Sequence, residues 1–271
     1  LGLFEGRNTG KMLLDLTGRF LDLLAEAAAI RPAFAEAAEL TDPPAPVRLA
    51  EGRGAEPPVF CIPSVVALSG PHEYTTLAAK LGGDRTVWAL PWPGFEGWEP
   101  LPASFRAAVD VQADAIVRAS AGEPSIVLGH STGGLFAHAI AARLEERGSA
   151  PAGVVLIDTP AAEAVADPDV GQRVMDALLE RGASGVDDAR LTAMAAYVRL
   201  LADCEPAAVA APTLLLRAET AFPWTVAAPG EHVAVTVPGD HFSMMDGDGE
   251  STARALLEWL ATATSGRLSP A

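Results

Sequence analysis

The 271-residue chain contains two cysteines, Cys61 and Cys204, and sets only nineteen basic residues against thirty-five acidic ones. Thiols that far apart, without metal-ligand spacing, make no disulfide framework and no zinc site, and a reducing cytosol is the expected compartment. The shortage of positive charge, a formal net charge of −16, argues against nucleic acid or an anionic membrane as partner. No run of eighteen apolar residues occurs, so no membrane-spanning helix is expected. The first thirty residues also lack the charged start and small-residue cleavage pattern of a secretory signal. There is no internal repeat and no low-complexity tract beyond general alanine richness. The chain opens on Leu1 rather than methionine, which reads either as a domain cut from a longer polypeptide or as a trimmed chain, with the first slightly favoured.

What is present is apolar material. A 49% hydrophobic composition supports one sizeable core, and one α/β domain with an accessory helical piece is the natural reading. From residue 47 strands and helices alternate. A short strand-like segment precedes Pro58–Ile62, then come a helix from Tyr74 to Leu81, the run Thr86–Leu90, and a helix from Ser104 to Ser120. Ser125–Leu128, a helix to Arg147, Gly153–Asp158, Thr213–Arg217 and Val233–Val237 continue the series, and a helix from Thr252 to Ala263 closes it. Short β-branched runs of this kind belong in a buried, mainly parallel sheet.

Two segments fall outside the alternation. Between Lys11 and Ile30 the apolar positions Leu13, Leu16, Phe20, Leu23, Ala27 and Ile30 recur at intervals of three and four, widened by Leu14, Leu21 and Leu24. That spacing is the seam of a packed helix pair, made either against the chain's own domain or across a two-fold dimer contact. Pro43-Pro44-Ala45-Pro46 ends it and marks a linker, so residues 1–42 are read as a helical dimerisation segment and 43–271 as the main domain. The second segment, about 160–206, inserts two amphipathic stretches, Pro168–Arg181 and Asp187–Asp203, after the strand ending at Asp158. Ligands of open α/β sheets bind at the carboxyl ends of the strands, so this insertion is placed as a lid.

The chemistry is concentrated at Gly129-His130-Ser131-Thr132-Gly133. It follows an apolar run and opens a helical pattern, so it reads as strand, sharp turn and helix with Ser131 at the apex, a nucleophile elbow. The glycines at 129, 133 and 134 leave room for the turn and for close helix–strand packing.

A serine nucleophile needs a base, and the base an acid, in the chain order serine, acid, histidine. Of five histidines, His241 lies between the last strand and the last helix, where this architecture presents its base. His72 precedes the nucleophile, His130 sits beside Ser131 but cannot fold back onto it, His138 is two turns down the helix, and His232 lies in a polar turn. Two carboxylates end strands, Asp158 and Glu219. The residues favour Asp158, because burial at a strand end demands a specific partner, without excluding Glu219. The oxyanion hole should pair the backbone N–H of Thr132 with one from Ile62-Pro63-Ser64-Val65-Val66, where Pro63 has none to give and Ser64 or Val65 is the candidate.

Five motifs in order, Leu68-Ser69-Gly70-Pro71-His72-Glu73-Tyr74, Pro91-Trp92-Pro93-Gly94-Phe95, Gly129-His130-Ser131-Thr132-Gly133-Gly134, Val154-Val155-Leu156-Ile157-Asp158 and Pro238-Gly239-Asp240-His241-Phe242, with Arg190–Tyr197 in the insertion, resemble the terminal thioesterase domains of modular type I polyketide synthases, such as those of the erythromycin and pikromycin systems. The resemblance runs from about residue 47 to the C-terminus. It implies an α/β-hydrolase fold with a helical lid, N-terminal dimerisation helices and a substrate channel under the lid. It assigns Ser131 as nucleophile, His241 as base and Asp158 as acid. Where relatives often carry an Ala-Gly-Thr-Ala type of loop this chain has Pro63-Ser64-Val65-Val66, so the amide of Val65 is assigned by position only.

The reaction so implied takes an acyl chain from the phosphopantetheine arm of an acyl carrier protein, binds no metal or redox cofactor, and ends in macrolactonisation. Hydrolysis to a linear acid, a stand-alone editing thioesterase or another serine esterase are the alternatives. Met175, Leu178, Leu179, Met194, Tyr197 and Leu201 are candidates to line the channel, although helical spacing fits a plain core role as well.

Overall fold

The computed structural model describes residues 22–53, 56–165, 186–205, 207–222 and 224–265. Its centre is a seven-stranded sheet of β2 (Val47–Ala50), β3 (Val59–Ile62), β4 (Val87–Ala89), β6 (Ile126–His130), β7 (Gly153–Ile157), β8 (Thr213–Thr220) and β9 (Val233–Asp240), in the order β2-β4-β3-β6-β7-β8-β9. Only β2 runs antiparallel, at one edge. Two further two-residue strands, β1 (Ala33–Phe34) and β5 (Leu101–Pro102), pair in parallel as a separate small sheet.

The strands alternate their side chains between two cores. Phe60, Ile62, Val127, Val154, Leu156 and Leu215 face α3 (Phe105–Ala119) and α4 (Thr132–Glu146). Val59, Cys61, Ile126, Leu128, Val155 and Ile157 face α2 (Thr75–Leu81) and the C-terminal helix α7 (Gly249–Ser265), which presents Ala253, Leu256 and Leu260. Because β3, β6 and β7 are buried on both faces, their sequences are continuously apolar rather than alternating. Ser104 begins α3 by accepting the Ala107 N–H, a side-chain cap at the boundary read from the sequence.

Two strands run further than the sequence suggests. β8 extends through Glu219, which is an exposed strand residue and not part of a loop. β9 extends through Pro238 to Asp240, so His241 follows its last residue directly. A proline is tolerated there because β9 is the sheet edge, where a missing N–H breaks no ladder.

At the N-terminal end, residues 22–28 form a helix, α1. Ala25 and Ala28 face the domain, whereas Leu23 and Ile30 are 59% and 86% exposed. The seam positions Leu13, Leu16 and Phe20 lie outside the described residues, as does the expected helix Pro168–Arg181. Of the insertion, α5 (Ala162–Val165) and α6 (Asp188–Leu200) are described. Asp187 caps α6 by accepting the Arg190 N–H. This helix rests on loops that leave the carboxyl ends of β3 and β4: Arg190 donates to the Ser69 carbonyl and Tyr197 to the Pro93 carbonyl. Arg31 ties the same region together. Its guanidinium donates to the carbonyls of Ala189, Gly94, Gly97 and Glu99 and to the Thr192 hydroxyl, joining α1, α6 and the loop after β4. No helix among the described residues is long and apolar enough to cross a membrane.

Candidate active site

Strand β6 delivers the chain into the elbow. Ser131 adopts φ 55° and ψ −134°, a left-handed strained conformation, before Thr132 starts α4. The bend is held by the Ser131 N–H on the Ile157 carbonyl and the Gly134 N–H on the Ser131 carbonyl, both at 2.9 Å. Gly133 is needed for packing: a Cβ there would run into the Ile62 carbonyl at the end of β3. Ser131 is only 7% exposed.

His241 reaches this serine from the end of β9. Its Nε2 lies 3.1 Å from Ser131 Oγ, and its Nδ1 lies 2.7 Å from Asp158 Oδ2. With Nδ1–H bonded to the carboxylate, Nε2 is left to accept the Ser131 hydroxyl proton. Asp158 follows the last residue of β7, has φ 43°, is buried, and accepts the Ala218 N–H on its second oxygen. Its two oxygens are thereby committed to one imidazole and one backbone amide. Glu219 is exposed on β8 and takes no part in this chain of bonds.

The imidazole is also fixed by rings. His130 stacks on it with centroids 4.5 Å apart, and the His130 Nε2–H donates to the His241 carbonyl at 2.9 Å. Phe222, Trp224 and Phe242 surround it at centroid distances of 5.0, 4.5 and 4.9 Å. Sequence reasoning missed His130, Phe222 and Trp224 as partners of His241. The cluster of aromatics at 222–224, just after β8, was the available signal.

The loop after β3 lies against the start of α4. The Val65 N–H donates to Thr132 Oγ1 at 3.2 Å, and the Ser64 and Thr132 hydroxyls are 2.8 Å apart. Glu73 accepts the Ser64 N–H at 3.2 Å. Burial raises this carboxyl to about 7, against the lowering effect of Ser69 and Ser64, with Asp246 raising it slightly further. Next to it, the buried Tyr74 hydroxyl donates to the Ile62 carbonyl at 2.6 Å and accepts the His130 N–H at 3.0 Å, pinning the end of β3 to the entrance of the elbow. Burial keeps this phenol well above its ordinary value, hence neutral. Glu73 and Tyr74 lay within a motif noted in the sequence but were given no role there.

The remaining candidates fall elsewhere. His72 and His232 are exposed, and His138 is buried on α4. Met194, Tyr197 and Leu201 are core side chains, with Tyr197 packed against Trp92, Phe95 and Phe136. All three are buried, which fits the plain core alternative that their helical spacing allowed. Met175, Leu178 and Leu179 lie outside the described residues. No group of three or more histidine, cysteine or acidic side chains among the described residues forms a metal cluster.

A thioesterase domain family model matches residues 57–260, spanning the sheet from β3 to the last helix. The chain belongs to the thioesterase domain family. It is 41% identical over 257 residues to polyketide synthase GfsE of Streptomyces halstedii, covering 90% of this chain and 7% of that protein. It is 42% identical over 226 residues to erythronolide synthase EryA3 of Saccharopolyspora erythraea, covering 81% of this chain and 7% of that protein. The chain thus spans less than a tenth of these two relatives. Among solved structures, the wild-type Vlm2 thioesterase domain matches with a TM-score of 0.59 at 25% identity, over 79% of this chain and 97% of that one. The surfactin-cyclising domain SrfTE matches with a TM-score of 0.59 at 21% identity, over 76% and 91%, and supports the fold alone. The thioesterase domain described above therefore has the α/β-hydrolase type of sheet and helices.

Proposed function

We propose that this thioesterase domain releases a polyketide acyl chain from an acyl carrier protein through a Ser131 acyl-enzyme, and that release proceeds by macrolactonisation. The observation that carries the reading is the continuous relay Ser131 Oγ, His241 Nε2, His241 Nδ1 and Asp158 Oδ2 at 3.1 and 2.7 Å. The kinship to polyketide synthases supports the identity of the acyl donor.

In the first half-reaction Ser131 Oγ attacks the thioester carbonyl while its proton passes to His241 Nε2. Asp158 holds the imidazole in the required tautomer and stabilises the imidazolium. The tetrahedral oxyanion is assigned to the amides of Thr132 and Val65, for which the Val65 N–H exchanges its bond to the Thr132 hydroxyl for one to the oxyanion. Collapse breaks the C–S bond, and the phosphopantetheine sulfur takes the proton from His241. In the second half-reaction His241 deprotonates a distal hydroxyl of the same chain, which attacks the acyl-serine; collapse returns the proton to Ser131 Oγ and frees the lactone. The carbonyl chemistry runs entirely on these side chains and amides.

Ring closure competes with water, and it wins when the bound chain is folded with its hydroxyl at high effective concentration. Mass analysis of the product from a seco-acyl thioester bearing a distal hydroxyl tests this: a product one water lighter than the acid is expected, and the linear acid alone would replace macrolactonisation by hydrolysis. The outward Leu23 and Ile30 support an N-terminal dimer contact. Removing residues 1–40 should then convert a dimer to a monomer in sedimentation; a full chain that is already monomeric would refute it.

A further inference from the structure

The chain leaving β3 is tied down at each residue from Ile62 to Val65. The Tyr74 hydroxyl donates to the Ile62 carbonyl at 2.6 Å, and Trp92 Nε1–H donates to the Pro63 carbonyl at 2.9 Å. Glu73 accepts the Ser64 N–H at 3.2 Å, and the Val65 N–H donates to Thr132 Oγ1, also at 3.2 Å. The first turn of α4 closes on the same backbone, since a Cβ at Gly133 would run into the Ile62 and Pro63 carbonyls. Of the backbone amides here, Pro63 has no N–H, that of Ser64 is committed to Glu73, and that of Val65 is aimed at the elbow.

The Ser64 side chain brings a further donor to the same place. Its Oγ lies 2.8 Å from Thr132 Oγ1, and the residue is 3% exposed. Two donors of the loop, the Val65 N–H and the Ser64 hydroxyl, therefore converge on one oxygen, and that oxygen belongs to the residue whose own N–H is assigned to the oxyanion. Separations of 2.8 and 3.2 Å are those that donors keep from a developing negative oxygen. A hydroxyl proton rotates to suit its acceptor, so the Ser64 O–H can serve whichever oxygen stands there. Folding alone gives little reason to keep two hydroxyls facing each other, because replacing both by apolar groups of like shape is close to neutral.

We propose that the Ser64 hydroxyl is a catalytic hydrogen-bond donor to the oxyanion, and that Thr132 Oγ1 holds the oxyanion's place until an acyl carbonyl arrives. As that carbonyl turns tetrahedral, the Thr132 hydroxyl turns aside, and the new oxyanion receives the Ser64 O–H and Val65 N–H together with the Thr132 N–H. Only hydrogen bonds are exchanged, and the Ser64 proton stays on its oxygen. A neutral hydroxyl is a weaker acceptor than an oxyanion, so the exchange becomes favourable as charge develops, and the donors act on the transition state more than on the bound thioester. The proposal rests on the Ser131 acyl-enzyme reading above and adds a side chain to its two amides.

The test follows acylation of Ser131 by octanoyl N-acetylcysteamine thioester in single turnover over a range of substrate concentrations. In Ser64→Ala the Thr132 hydroxyl keeps the Val65 N–H, so the fold loses little. This variant should slow the saturated rate by roughly a hundredfold, the low end for loss of one oxyanion donor. Half-saturation should stay within about twofold of the parent, because the interaction is made only in the transition state. Heptyl trifluoromethyl ketone, whose adduct with Ser131 carries the oxyanion, should bind more weakly by a similar factor. On a Thr132→Ala background the Ser64→Ala change should cost the same factor again, since Ser64 acts on the oxyanion and not through the Thr132 hydroxyl. A saturated rate within about threefold of the parent, an unchanged affinity for the ketone, or loss of the Ser64→Ala effect on the Thr132→Ala background would overturn the assignment and leave the thioesterase reading intact. A parent chain that is not acylated at Ser131 would remove both.

Discussion

Glu73 gives the domain a pH response whose sign and size follow from its surroundings. Its carboxyl sits at about 7 in the folded chain, chiefly through burial, against 4.5 for the free side chain. The folded state therefore binds this proton more tightly than the unfolded state, and stability must fall as pH rises from about 4.5 to 7, then level off. The difference corresponds to at most about 3 kcal/mol. Solvent reaching a side chain that is only partly buried trims it to about 1–2 kcal/mol. Glu73→Gln keeps a carbonyl oxygen to accept the Ser64 N–H but cannot ionise. Urea denaturation of both proteins at pH 4.5, 5.5, 6.5 and 7.5 should show the variant gaining on the parent through this window, by about 1–2 kcal/mol at the top. A difference that stays constant with pH, or grows in favour of the parent, would refute the reasoning and show the carboxylate to be held as an anion.

Asp158→Asn should lower kcat on an acyl thioester by roughly 10⁴-fold, because an amide in place of the carboxylate favours the wrong imidazole tautomer, whereas the exposed Glu219→Gln should stay within about threefold of the parent; the reverse order would move the acid to Glu219. Gly133→Ala forces a methyl into the Ile62 carbonyl and should cost about 2–3 kcal/mol by denaturant unfolding, with an unchanged midpoint contradicting the packing account. Arg31→Met removes one donor from each of four carbonyls and one hydroxyl and should cost about 3 kcal/mol. Hydrogen exchange should then quicken in α6 and residues 94–99, and unaltered protection there would contradict the clamp.

The parts of the fold legible in the sequence were those where one residue pattern has one physical meaning. Short, β-branched apolar runs such as Val59–Ile62 and Gly153–Ile157, bounded by proline or glycine, fit strands buried on both faces of a parallel sheet, and a glycine-flanked serine between such a run and a helix fits an elbow. Strand ends were less legible, since Glu219 on β8 and Pro238 on β9 argue locally against β-structure; the proline is tolerated because β9 is the sheet edge. The two-residue pair Ala33–Phe34 with Leu101–Pro102 carries no periodicity at all. Polar clamps were invisible for a different reason: Arg31, Glu73 and Tyr74 act on backbone atoms brought from distant loops, and no spacing in the chain encodes them. Met194, Tyr197 and Leu201 show the converse, because an apolar helical stripe fits a core and a channel equally until its neighbours are known.

The central claim, that Ser131 becomes the acyl carrier under the action of His241, is tested most directly by rapid-quench intact-mass analysis with an acyl thioester, followed by peptide mapping. The account predicts one acyl group per chain on Ser131 within a single turnover, none on Ser131→Ala, and acylation slowed by at least roughly a thousandfold in His241→Ala. An acyl group mapped to another residue, or turnover by Ser131→Ala within tenfold of the parent, would contradict it.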